Sequence, residues 1–103
     1  MDFAEDLNVI ADAFPEKERF NLSSQMLRAV DSVALNISEG SIGQSNPELR
    51  KFIGYSIRSL AEVVTCLFKA KRREYITEEE FNEKYEEAFN LMNMMIAFRK
   101  NIR

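Results

Sequence analysis

At 103 residues the chain is long enough for one hydrophobic core and too short for two, so residues 1–103 are expected to form a single domain. Apolar residues make up 46% and charged residues 30%, a balance that excludes a disordered chain and fits a soluble globular one. The net charge of −3 argues against nucleic-acid binding through overall charge, but the acidity is local: residues 74–87 carry seven acids against Lys84 alone, residues 1–73 sum to zero, and residues 88–103 to +3.

Apolar positions recur at helical spacing along the chain. Residues 2–13, with Phe3, Leu7, Val9, Ile10 and Ala13, predict a short amphipathic helix, which "FPEKERF" at 14–20 interrupts because proline biases Phe14 away from helical angles. From Leu22 the steps Met26, Ala29, Val30, Val33, Ala34 and Ile37 wind one stripe onto a helix over 22–40. Gly40 fits a left-handed C-cap, followed by a polar loop from Ser41 to Ser45. Asn46 and Pro47 fit the N-cap and first position of a third helix over 47–73, whose stripe is Leu49, Phe52, Ile53, Ile57, Leu60, Val63, Val64, Leu67 and Phe68. Thr77 with Glu80 forms a capping box for a fourth helix over 78–100, with its stripe on Phe81, Tyr85, Ala88, Phe89, Met92, Met95 and Ile96. No stretch alternates as a half-buried strand would. Four helices joined by short loops predict an all-α, antiparallel up-down four-helix bundle.

One polar line interrupts this pattern. Gln25, Ser32, Asn36 and Glu39 are spaced seven, four and three apart beside the apolar stripe of the second helix, with Arg28 next to them. Ser59, Glu62 and Cys66 make a similar line on the third. If the two helices run antiparallel, Gln25 and Arg28 come level with Glu62, and a guanidinium can fork onto a carboxylate. The expected role is a polar seam between helices or subunits, with Asn36 and Glu39 satisfying groups around the turn at Gly40. Cys66, the lone cysteine, is expected to be a small, partly buried side chain.

"FPEKERFNLSSQMLRAVDSVALNISEGS" followed by "FIGYSIRSLAEVVTCL" resembles the four-helix-bundle proteins encoded in intervening sequences of bacterial 23S ribosomal RNA genes. The shared pattern falls on Phe14, Pro15, Glu18, Arg19, Leu22, Gln25, Arg28, Ala29, Ser32, Asn36, Ile37, Glu39, Gly40, Ser59, Leu60 and Glu62. Two departures are visible: Val33-Ala34-Leu35 replaces the proline often found before the Asn-Ile step, and the first helix is shorter than usual for the family. The resemblance implies a ring-shaped homo-oligomer, a pentamer. It also implies kinship with the accessory variability proteins of diversity-generating retroelements, whose barrels bind nucleic acid and a reverse transcriptase.

Catalytic chemistry is poorly supplied. With no histidine, the chain lacks the usual neutral-pH proton shuttle and the Glu-x-x-His pairs of di-iron bundles. "EGSIG" has neither the lysine nor the preceding strand of a phosphate-binding loop. No enzyme activity, cofactor or metal is therefore expected. The absence of a secretory segment near Met1, and of an apolar run of roughly 20 residues, makes a cytoplasmic chain with no membrane contact the expectation.

Two functions remain. The first is a non-enzymatic assembly or interaction module, associating through apolar side chains off the core stripe such as Leu35, Tyr55 and Phe98. The second is a nucleic-acid-binding accessory factor, associated with ribosomal RNA, another structured RNA or a nucleic-acid-processing protein such as a reverse transcriptase. Cations would gather at one end as Lys69, Lys71, Arg72 and Arg73, diluted by the acids that open the fourth helix, and at the other as Arg50, Lys51, Arg99, Lys100 and Arg103. The second end is the preferred nucleic-acid surface. Met92 and Met95 are expected in the core, with Met94 undecided.

Overall fold

A computed structural model describes residues 2–42 and 45–102. The order is α1 (Phe3–Asp12), a 3-10 turn (Glu16–Glu18), α2 (Leu22–Gly40), α3 (Asn46–Arg72) and α4 (Glu78–Lys100). The chain is all-α, and no strand occurs among the described residues. Its principal extents are 44 × 24 × 22 Å.

Local chemistry explains where the helices start. Asp2 caps α1 by accepting from the Glu5 amide at 2.9 Å. Thr77 and Glu80 complete the capping box of α4, at 3.0 and 2.9 Å. The cap of α3 is Ser45 rather than Asn46: its hydroxyl accepts from the Glu48 amide at 3.4 Å, and Pro47 sits one position deeper in the first turn. Serine and asparagine cap with similar strength, so an extended Ser45 takes the role and Asn46 is already helical.

Gly40 is not a left-handed cap. It is the last residue of α2, and Ser41 ends the helix near φ −90°, with its hydroxyl donating to the Ile37 and Ser38 carbonyls at 3.1 and 3.0 Å. The glycine is buried because α3 passes close by. A Cβ there would lie 2.9 Å from Leu49 Cδ1 and 3.2 Å from Phe52 Cβ. Gly43 and Gln44, in the predicted polar loop, lie outside the described residues.

Leu7 and Ala11 of α1, Leu22, Met26 and Ala29 of α2, Leu60, Val63 and Leu67 of α3, and Phe81, Ala88 and Met95 of α4 share one buried core. Pairs across α2 and α3 join Gly40 with Leu49, Val33 with Ser56, and Ser32 with Ser59. Across α3 and α4, Arg50 meets Arg99 and Phe68 meets Phe81. The predicted stripes are wider than the core they face. Ile37 of α2 and Ile96 of α4 are exposed, and so are Phe68, Tyr85 and Phe89, on the side of α3 and α4 that has no further helix over it. Met92 is half-buried, Met95 buried and Met94 exposed.

Candidate functional site

The polar seam forms at the level of Ser32. Ser59 Oγ donates to or accepts from Ser32 Oγ at 2.8 Å, joining α3 to α2, and the Asn36 amide reaches back one turn to the Ser32 carbonyl at 2.8 Å and its hydroxyl at 3.1 Å. One turn away the fully buried Ser56 hydroxyl donates to the Val33 carbonyl at 2.9 Å. Burying a hydroxyl without a partner is costly, so these bonds fix the axial register of the two helices.

Gln25, Arg28 and Glu62 do not form the expected pair. They line one open concavity of about 570 Å³ with Ser32, Cys66 and Lys69, yet the Gln25 amide bonds Asn21 at 3.5 Å and neither charge has an ion-pair partner among the described residues. Arg28 and Glu62 are exposed, and in water a single fork gains too little to hold two long side chains together. Neither Asn36, which turns back to Ser32, nor the exposed Glu39 side chain makes the expected bonds at the Gly40 turn, where Ser41 serves instead. Cys66 is fully buried and burial pushes its thiol pKa up, which keeps it protonated and unreactive.

The basic run after residue 68 is dispersed. Arg73 Nη1 donates to Glu18 Oε2 at 3.0 Å, and Lys71 stands over the Phe81 ring at 4.6 Å. Lys69 lines the seam concavity and Arg72 stays exposed. Glu18 also accepts from the Tyr75 hydroxyl at 2.6 Å and the Asn21 amide at 3.2 Å. The Tyr75 hydrogen bond, aided by the Arg73 charge, holds the Glu18 carboxyl below its ordinary pKa against the opposing effect of burial. The Phe14 ring lies 5.4 Å from Tyr75, so the segment 14–18 is pinned to the α3–α4 turn, where Glu74 takes a left-handed φ of 62°.

The opposite end is organised differently. Arg50, Lys51 and Arg99 line one concavity of about 650 Å³ between the start of α3 and the end of α4, and Arg58 joins them. Arg99 Nε donates to the Arg50 carbonyl at 3.0 Å, while a Cβ at Gly54 would sit 3.5 Å from the guanidinium, in ordinary contact. Tyr55 stands between two cations, with Lys51 Nζ 5.8 Å and Arg58 Cζ 5.9 Å from its ring centre. Arg58 is not among the cations expected from the sequence, although Arg50, Gly54 and Arg58 step by four along one helix face. Lys100 is exposed outside the lining, and Arg103 lies outside the described residues.

Apolar side chains on the outside are the remaining candidates. Leu35 is 62% exposed and Phe98 54%. A ladder of rings runs along α3 and α4: Phe68 to Phe81 at 4.8 Å, Phe81 to Tyr85 at 5.6 Å and Tyr85 to Phe89 at 6.3 Å. Phe68 and Phe89 are 50% and 52% exposed. Tyr55, predicted with Leu35 and Phe98, belongs to the basic concavity and packs edge-on to Phe52 at 5.9 Å.

Among the described residues no three His, Cys, Asp or Glu side chains gather closely enough to hold a metal ion, and no helix is long and apolar enough to cross a membrane. No curated protein matches the chain. The family model of the 23S rRNA-intervening sequence protein matches residues 1–97. The chain belongs to the 23S rRNA-intervening sequence protein family.

Proposed function

We propose that the chain is a non-enzymatic assembly module of the cytoplasm: an antiparallel up-down bundle that closes with copies of itself into a ring, a pentamer. The observation that carries this reading is the row of half-exposed rings on α3 and α4, Phe68, Tyr85 and Phe89, together with Leu35 and Phe98. A contiguous row of exposed rings such as Phe68, Tyr85 and Phe89 marks an interface on a soluble protein. Leu35 belongs to α2 and the ring ladder to α3 and α4, so unlike surfaces are available for a head-to-tail contact, the kind that closes rings. The up-down arrangement is supported by the pairings of Gly40 with Leu49 and of Ser32 with Ser59, which run in opposite directions along α2 and α3. Light scattering tests the ring: a mass several times 12.0 kDa is expected.

A second reading is favoured by the cationic concavity at Arg50, Lys51, Arg58 and Arg99. It is a nucleic-acid-binding accessory factor, acting on ribosomal or other structured RNA or alongside a nucleic-acid-processing enzyme such as a reverse transcriptase. Crosslinked purification from the host separates the two. Enrichment of RNA supports the second reading, and a recurring protein partner without RNA leaves only the first.

A further inference from the structure

The concavity between α3 and α4 gathers Arg50, Lys51, Arg58 and Arg99, and no acidic residue lines it. None of these cations has an ion-pair partner among the described residues, whereas Arg73 and Lys84 are both paired. Like charges held this close repel one another unless a counter-charge joins them. The groove also holds its cations in place. Arg99 spends Nε on the Arg50 carbonyl, which anchors the guanidinium and leaves both terminal nitrogens outside that bond, in the geometry that forks onto a phosphate. That guanidinium packs against α3 at Gly54, 3.5 Å from where a Cβ would stand. Tyr55, one turn from Lys51 and from Arg58, steadies both heads over its ring while remaining exposed itself.

We propose that this groove binds a single-stranded segment of nucleic acid, with Arg99 and Arg58 gripping phosphates and a base taking the place of the Lys51 ammonium on the Tyr55 ring. The inference rests on the nucleic-acid reading above and names its site and substrate class. A concavity of about 650 Å³ holds a nucleotide or two, and only an unpaired strand offers an unstacked base to the Tyr55 ring. Four cations around an aromatic ring are the components of a single-strand site, where phosphates supply affinity and a π-face accepts any base. An acidic peptide would satisfy the charges and leave the ring unused. The contacts available go to phosphate and to base faces, so RNA and DNA strands should bind alike.

The test is fluorescence anisotropy with labelled RNA and DNA single strands of about 12 nucleotides, long enough to run through the groove and past both of its ends. Wild-type protein should bind both within a few-fold and the corresponding duplex more weakly. The double variant Arg58→Ala/Arg99→Ala should weaken binding at least about tenfold and flatten the log K against log salt slope by roughly 1.4, from about 0.7 per lost phosphate contact. Arg99→Lys should recover only part of the loss, because it restores the charge without the fork. Tyr55→Ala should weaken binding and Tyr55→Phe restore it, a rescue that separates ring chemistry from mere folding; circular dichroism should show equal helix content throughout. If wild type binds but the double variant binds equally well, with the loss falling instead on Lys69→Ala/Lys71→Ala/Arg72→Ala, the groove is wrong and the nucleic-acid reading survives. Failure of wild type to bind any strand at low salt overturns both. Polyglutamate that competes as well as an unlabelled strand, or an Arg58→Ala/Arg99→Ala protein with a changed solution mass, overturns the groove as a nucleic-acid site.

Discussion

The carboxylate of Glu18 accepts hydrogen bonds from Tyr75, Arg73 and Asn21, tying the turn before α2 to the turn after α3 across more than fifty residues of chain. Glu18 and Arg19 are recognisable in the sequence as part of a family pattern, but their roles are not. Arg19 stands over the exposed Phe20 ring, while Glu18 is buried beneath Tyr75. The partner of Glu18 could not be found by periodicity, because its bonds depend on how the α3–α4 turn folds back. The same applies to Lys84, a lone base among acids in the sequence and a buried ammonium in the structure, bonded to Asp6 of α1 at 2.7 Å and Glu87 at 3.2 Å. Burial alone would lower its pKa, and those bonds more than reverse the effect. For Glu18 the native pKa is depressed, so its contribution is complete above the ordinary carboxylate value of about 4.3 and is lost as pH falls through the lower native value. Glu18→Gln should therefore lower the melting temperature at pH 7, and its gap from wild type should close under acid conditions. Thermal melts monitored by circular dichroism at several pH values check this; a gap that stays constant from neutral to strongly acidic pH would show that the charge on Glu18 is not what holds the turn.

At the scale of helices, α2 and α3 approach most closely where Gly40 faces Leu49 and Phe52. A methyl at this point meets the flexible end of Leu49 and, less forgivingly, the Cβ of Phe52, which can move only with the α3 backbone. Gly40→Ala gains up to about 1 kcal/mol of helix propensity but overpacks the contact, which typically costs about 1–3 kcal/mol. A net loss of about 1 kcal/mol is expected in urea titration. Gly54→Ala is the control, since its new methyl sits at ordinary contact distance from Arg99, and it should be neutral or stabilising by up to about 1 kcal/mol. If both substitutions stabilise, the close approach at Gly40 is wrong. This pair also marks what the sequence could reveal about the elements. The capping box at Thr77 and the apolar stripes are local signals, so the helices lie within one or two residues of expectation. Gly40 carries the same sequence signal whether it caps a helix or admits a neighbour, and only the path of α3 decides between them. Likewise, Ser32 and Ser59 could be placed on facing lines, whereas an Arg28–Glu62 fork requires a depth that this open concavity lacks.

For the whole molecule, the decisive surface is the side of α3 and α4 that no helix covers. Phe68, Tyr85 and Phe89 satisfy the spacing of a buried stripe, and the monomer leaves them half exposed, so the sequence pattern overstates the core by the area a neighbour would fill. Apolar burial is worth about 25 cal/mol per Å², and a half-exposed ring such as Phe89 forgoes about half of the roughly 1.5–3 kcal/mol that full burial supplies. In the proposed ring, association would remove that loss at every interface, where each copy offers both of its surfaces. Wild-type protein at micromolar concentration should therefore scatter light with a mass several times 12.0 kDa, fivefold in the proposed pentamer. Phe89→Glu places a charge on the ladder without touching Ala88 or Met95 in the core, and it should dissociate the assembly while helix content is retained. Leu35→Glu and Phe98→Glu probe the other exposed positions in the same way. Dissociation by Phe89→Glu with Leu35→Glu silent would place the contact on the ladder alone and favour a face-to-face dimer over a head-to-tail ring. A wild-type chain that stays monomeric at high micromolar concentration would remove the ring, and with it any multiplication of the Arg50–Arg99 groove around a shared axis.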